Sequence, residues 1–359
     1  MGALHVRGVF LPDEVERDAW LVGGRLTFGR SSGTAETIAS GGWIVPGLVD
    51  AHCHVGLAPD RFVADLDGQA AQALADRDAG ALLLRDAGSP VDNAGVQARD
   101  DLPRLIRAGR HIARPRRYVR HLGIEIEPGE LVTEVETQAA RGDGWVKLVG
   151  DWIDRVVGDL APLWPDAVLK EAVDRAHELG ARVAVHAFGE DALAGLIAAG
   201  VDSIEHGTGL TDDLIDTVAQ AGIAVVPTLI NIDNFPLFAA QGEPKFPAYA
   251  AHMRALHATS RERVRRAWEA GVPLYVGTDA GGTLLHGLVR EEIRALVGAG
   301  IPQPEVIAKA SWQARDWLGL PGSVEGAPAD LVVYDADPRV DASALDHPRR
   351  IVLRGTVIA

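Results

Sequence analysis

His52 and His54 stand one residue apart in Val49-Asp50-Ala51-His52-Cys53-His54, and an apolar run from Trp43 to Val49 leads into them. A strand that alternates its side chains puts both imidazoles on one face, where two ring nitrogens can chelate one cation. Taken alone, such a pair is equally at home in an ordinary core. It gains meaning from the polar groups in other apolar segments: Lys147 inside Trp145-Val146-Lys147-Leu148-Val149, His186 after Val183-Ala184-Val185, His206 after Ile204-Glu205, and Asp279 after Val276-Gly277-Thr278. Imidazole, carboxylate and amine groups on successive segments are the donors a hydrolytic metal centre uses.

Each residue also has a plain alternative. His186 and His206 are each readable as a satisfied core histidine, Asp279 as a helix cap, and Lys147 as a side chain whose stem follows the strand while its head reaches solvent. Lys147 is the most informative, because an ammonium held among Trp145, Val146 and Leu148 beside cations is costly. Desolvation favours the neutral amine, which captures carbon dioxide as a carbamate. That anion offers two oxygens and can bridge two divalent ions.

Apolar segments alternate with helical patterns from residue 46 to residue 320, the signature of βα units. Strands are expected at 48–52, 81–86, 117–121, 144–149, 182–186, 203–206, 223–227 and 274–279. Eight of them predict an α/β fold, a (β/α)8 TIM barrel, with its polar groups at the C-terminal strand ends. Between strands, Val168, Leu169, Ala172, Val173 and Ala176 form one stripe of a helix over 166–179 that Gly180 stops. Gly80, Gly200, Gly222, Gly271 and Gly300 read as similar stops. Residues 1–45 and 321–359 have short alternating segments broken by glycine and Ser-Ser-Gly, and predict a small β-sandwich domain assembled from both termini. His252 and His257, on a charged helix over 249–270, read as surface residues.

Composition narrows the partners. With 47% hydrophobic and 24% charged residues in 359, the chain is globular. A formal net charge of −15 argues against nucleic acid or an anionic membrane and for a small-molecule substrate. The single cysteine, Cys53, excludes an intramolecular disulfide and reads as a buried small hydrophobe. Residues 1–10 lack a basic segment followed by an apolar one, and no apolar run reaches membrane-spanning length, so a cytoplasmic location is expected. A homo-oligomer is compatible with all of this.

The motifs Val45-Pro46-Gly47-Leu48-Val49-Asp50-Ala51-His52-Cys53-His54, Arg85-Asp86-Ala87-Gly88, Val146-Lys147-Leu148, Val185-His186-Ala187, Ser203-Ile204-Glu205-His206-Gly207, Gly277-Thr278-Asp279 and Gly326-Ala327-Pro328-Ala329-Asp330-Leu331-Val332-Val333 span nearly the whole chain. Together they resemble the metal-dependent amidohydrolase superfamily, in particular its imidazolonepropionase-like and Xaa-Pro dipeptidase-like branch. The resemblance implies that His52, His54 and Asp279 hold a buried metal and His186 and His206 a more exposed one, bridged by N6-carboxylated Lys147 and a shared hydroxide. Two divalent ions, zinc first and iron or manganese as substitutes, are the implied cofactors, with Asp279 as the catalytic acid and base. Glu190, four residues after His186, resembles the acid of one-metal deaminases, and it also suits a plain helix start.

Substrate contacts are sought near the strand ends. His121 is placed as a catalytic donor to an oxyanion or a substrate carbonyl, with a rim histidine as the alternative. Arg85 and Arg120 are candidates to grip a substrate carboxylate, or else form internal salt bridges. The long segment 228–249, with Phe235, Phe238, Phe246 and Tyr249, suits a lid or pocket wall and an apolar substrate group. The expected activity is hydrolysis of an amide or peptide C–N bond in a dipeptide or N-acyl amino acid. The alternatives are a one-metal deaminase or cyclic-amide hydrolase, a lactonase or esterase, and a non-catalytic scaffold.

Overall fold

The structure is a computed structural model that describes residues 3–30 and 33–359; residues 1–2 and 31–32, including the serines of Ser-Ser-Gly, lie outside it. Its mixed α/β architecture contains two parallel sheets. One joins Leu48–Cys53, Ala81–Asp86 and Arg104–Arg107. The other is ordered Ile124–Glu125, Ile112–Ala113, Trp145–Val149, Arg182–Ala187, Ser203–His206 and Ala224–Val226. Segment 274–280 lies between the sheets: Tyr275 N–H donates to the Val225 carbonyl at 3.1 Å, and Ala51 N–H donates to the Val276 carbonyl at 2.8 Å. On the other side, Ala108 N–H donates to the Asp86 carbonyl at 3.0 Å, where the chain passes from Arg107 toward Ile112.

The helices follow their apolar stripes. Asp166–Glu178 buries Leu169, Ala172, Val173 and Ala176, the Leu169 side chain contributing roughly 1.5–3 kcal/mol. The helix ends as glycine allows, since Gly180 has φ +74°. Other helices run over Leu66–Asp78, Leu131–Arg141, Asp212–Ala221 and Val289–Gly298. Both ends of the chain meet in one seven-stranded sheet, where Leu331–Tyr334 pairs antiparallel with Ala35–Pro46, which itself runs parallel to Ala3–Phe10. Among the described residues no helix is long and apolar enough to cross a membrane.

One expected strand is displaced. Residues 117–121 form a loop, and the strand that follows Ala81–Asp86 is Arg104–Arg107. Arg117 explains the loop: its guanidinium donates to the Trp152 and Ala161 carbonyls at 3.1 and 2.9 Å and to Asp154 at 2.7 Å. These bonds tie the segment to an antiparallel hairpin, Asp151–Asp154 with Asp159–Pro162, that the alternation pattern did not reveal.

Candidate metal centre

The end of strand Leu48–Cys53 and segment 274–280 bring His52, His54 and Asp279 together. His52 Nε2 lies 3.3 Å from His54 Nε2, and Asp279 Oδ1 lies 3.2 and 2.9 Å from these two nitrogens. Rings continue outward, with centroids 5.2 Å apart for His52 and His206 and 4.8 Å for His206 and His186. Lys147 is 1% exposed, and its Nζ has no hydrogen-bond partner among the described residues. Its strand pairs with that of His186, Lys147 opposite Ala184 and Val149 opposite His186.

The outward nitrogens decide what the inward ones can do. His54 Nδ1–H donates to the Gly88 carbonyl at 2.6 Å, His52 Nδ1 meets Glu205 Oε2 at 2.5 Å, and His206 Nδ1 meets Thr228 Oγ1 at 2.7 Å. A carbonyl only accepts, so the Nε2 lone pair of His54 faces inward, and a carboxylate sets His52 the same way. Lone pairs 3.3 Å apart beside a carboxylate repel unless a cation lies between them. The donor set therefore fits a divalent metal.

Buried charge holds this geometry. Arg85 donates to both oxygens of Glu205 at 2.8 and 2.9 Å, and Ser203 Oγ donates to Oε1 at 2.6 Å. Burial alone would raise the Glu205 carboxyl, but Arg85 and then His52 hold it well below the usual carboxylate range. Asp50 accepts from His52 N–H and from the Thr278 hydroxyl at 3.1 and 2.6 Å, joining the first strand to segment 274–280. Asn231 Nδ2 donates to Asp279 Oδ2 at 2.6 Å. Asp279 and His206 both have left-handed backbone, φ +58° and +70°, a strained state that concentrates at functional sites. Gly277 permits close packing here, because a Cβ would meet His52 N at 2.7 Å.

Burial lowers the basicity of the inner groups. The Lys147 amine falls from 10.5 to about 8, and His206 falls to about 3. Burial raises the Asp279 carboxyl, but the adjoining His52 and His54 imidazoles outweigh it and hold it well below the ordinary range.

These side chains form the floor of a cavity of about 680 Å³ whose walls are Tyr118, Trp152, Phe188, Phe238, Phe246 and Tyr249. Segment 228–249 thus supplies part of a pocket wall, built on helices Leu229–Ile232 and Phe235–Gly242. Three expected substrate contacts lie elsewhere. Arg85 is fully buried beneath His52 and spent on Glu205 and the Ala51 carbonyl. Arg120 and His121 are exposed and line a separate groove. Glu190 is held by His252 at 2.8 Å, which also bonds Asp159, so His252 is a half-buried link and not a free surface residue.

Sequence reasoning missed His111, which is fully buried with its ring centroid 5.1 Å from that of His54. It also missed Tyr118 and Trp152, whose rings pack against His186 at 5.6 and 5.5 Å. The pair Arg110-His111 just before Ile112 was the available signal for His111.

Residues 43–357 match the Amidohydrolase family. An uncharacterised protein of Mycobacterium tuberculosis is 56% identical over 353 residues, 98% of this chain and 95% of that one. Among solved structures, a Xaa-Pro dipeptidase with methionine bound in its active site has a TM-score of 0.81 at 22% identity and 99% coverage of both chains. The Aspergillus niger ochratoxinase has a TM-score of 0.79 at 19% identity, covering 99% of this chain and 95% of its own. At such identities these two likenesses establish the fold, while the family match extends over the inward-facing histidines, Lys147 and Asp279, and so the chain belongs to the amidohydrolase family and is a C–N hydrolase.

Proposed function

We propose that the chain is a dinuclear-metal hydrolase of an amide or peptide C–N bond in a small substrate, a dipeptide or N-acyl amino acid. The observation that carries this reading is the buried Lys147 amine, without an acceptor among the described residues, next to the strand of His186. In this reading His52, His54 and Asp279 would hold one ion and His186 and His206 the other, with carboxylated Lys147 as their shared ligand and zinc as the metal. When bound, the cations supply Lewis acidity, acidifying water and polarising a carbonyl. Asp279 takes the proton of the attacking water and delivers it to the leaving nitrogen, steadied by Asn231 on its other oxygen. The aromatic walls orient an apolar substrate group, and the Xaa-Pro dipeptidase among the structural relatives supports a peptide substrate.

The fold assignment belongs to the same proposal. The two parallel sheets and segment 274–280 make a closed (β/α)8 barrel over residues 46–320, and residues 1–45 with 321–359 make a β-sandwich domain. A cytoplasmic protein with a small-molecule substrate, homo-oligomeric or not, completes the reading.

A hydrolysis screen of dipeptides and N-acyl amino acids with metal-loaded protein tests it; turnover of lactones alone would move the assignment to ester chemistry. The tight trio His52, His54 and Asp279 also suits a one-metal deaminase or cyclic-amide hydrolase, and a metal count near one with unmodified Lys147 would select that reading. Asp279→Asn should retain metal and lose about a hundredfold or more in kcat; unchanged turnover in the metal-replete variant would remove Asp279 from proton transfer. Trp152→Ala should raise KM about tenfold with little change in kcat, as expected where uniform binding is lost. Steady-state kinetics on the best substrate from the screen checks both, and a Trp152 variant that altered only kcat would contradict a wall role.

A further inference from the structure

Arginine is concentrated between Arg107 and Arg120, which also contains Arg110, Arg114, Arg116 and Arg117, in a chain of net charge −15. Half of these are neutralised locally. Arg107 pairs with Asp143 at 2.9 Å, Arg114 with Glu127 at 3.2 Å and Arg117 with Asp154 at 2.7 Å. Arg110, Arg116 and Arg120 form no ion pair among the described residues, and with His121, Gly123 and Glu125 they line a concavity of about 430 Å³. Arg110 Nε is buried there without an acceptor. Glu125 is the groove's one carboxylate, and one of its oxygens is taken by the Arg116 backbone N–H at 3.0 Å.

Three guanidinium groups lining one concavity give it a positive potential that attracts anions. All three are arginine, whose planar fork matches carboxylate and phosphate oxygens in pairs, where lysine would offer point charges. The concavity is larger than a single small ion requires. Its back wall is the loop whose other residues, Tyr118, Val119 and Leu122, face the large cavity, yet the two spaces share no lining residue. We propose that the groove of Arg110, Arg116, Arg120 and His121 binds a multiply charged oxyanion of metabolite size, a phosphate ester or a polycarboxylate. Such binding restrains the 116–123 loop from the side opposite the metal centre.

Calorimetric titration of the full chain with pyrophosphate and with citrate, at an ionic strength fixed by sodium chloride, tests this without any catalytic assay. Saturable binding of at least one is expected, weakened tenfold or more in Arg116→Ala/Arg120→Ala, with slower amide exchange over 116–123 in the wild type. Preference for pyrophosphate identifies the phosphate-ester source, and preference for citrate the polycarboxylate one. Binding of neither beyond the chloride control overturns the proposal. So does unchanged binding in the double variant, which is the result that attachment to the metal centre would give.

Discussion

Lys147→Met is expected to lower turnover on the order of a thousandfold or more while leaving the fold intact, because members of a catalytic unit each cost nearly as much as the whole. Methionine keeps the length and apolar contacts of the lysine stem in a site that is 1% exposed. What it removes is the amine. Burial and then the neighbouring Arg85 charge lower that amine to about 8, partly opposed by Glu205 and Asp279. The neutral form is therefore far more populated near pH 7 to 8 than for an exposed lysine at 10.5. It adds to carbon dioxide to give a carbamate and a proton, so bicarbonate and rising pH both favour the modification.

Two further measurements accompany the rate. Bound metal per chain should fall from two to one, and the native mass of the wild type should exceed that of its unmodified chain by one carbon dioxide in addition to its bound metals. Near wild-type turnover with two metals in the variant would end the bridging role of Lys147.

The candidate donor set was legible because it follows strand periodicity: His52, His54, Lys147, His186 and His206 sit on or at the ends of apolar runs. Segment 274–279 was legible for the same reason, although it makes only isolated bridges to its neighbours. The third strand was obscured. Arg104, Arg107 and Arg110 interrupt its apolar pattern, and Gly109 turns the chain at φ +71° before Ile112–Ala113. The alternation around Tyr118 and Val119 imitated a strand, and His121 was drawn to the site in place of the buried His111. Arg85 shows a second limit. Its strand position was visible, but whether it faced substrate or an internal acid depended on Glu205, which lies 120 residues away in sequence.

Arg85→Met is expected to destabilise the protein by about 3–5 kcal/mol, the usual cost of stranding one partner of a buried ion pair. Arg85 and Glu205 are both fully buried, so no solvent replaces the lost bonds. The guanidinium also lies 4.5 Å from the Trp145 ring centroid and 5.0 Å from that of Trp317, contacts that methionine keeps only as dispersion. Glu205 then keeps Ser203 and His52 as its partners, and without the cation it favours its protonated form. A protonated Glu205 donates to His52 Nδ1 and moves the ring hydrogen to Nε2, the atom facing His54 and Asp279. Metal affinity should therefore fall about ten- to a hundredfold as well. Denaturant unfolding with an unchanged m-value reads the first effect, and competition with a chelator reads the second. Adding Glu205→Gln should recover much of both, because a neutral amide oxygen still accepts from His52 Nδ1–H and leaves no stranded charge. A single variant that lost under about 1 kcal/mol and bound metal normally would show that His52 is held by its packing and not by the charge pair beneath it.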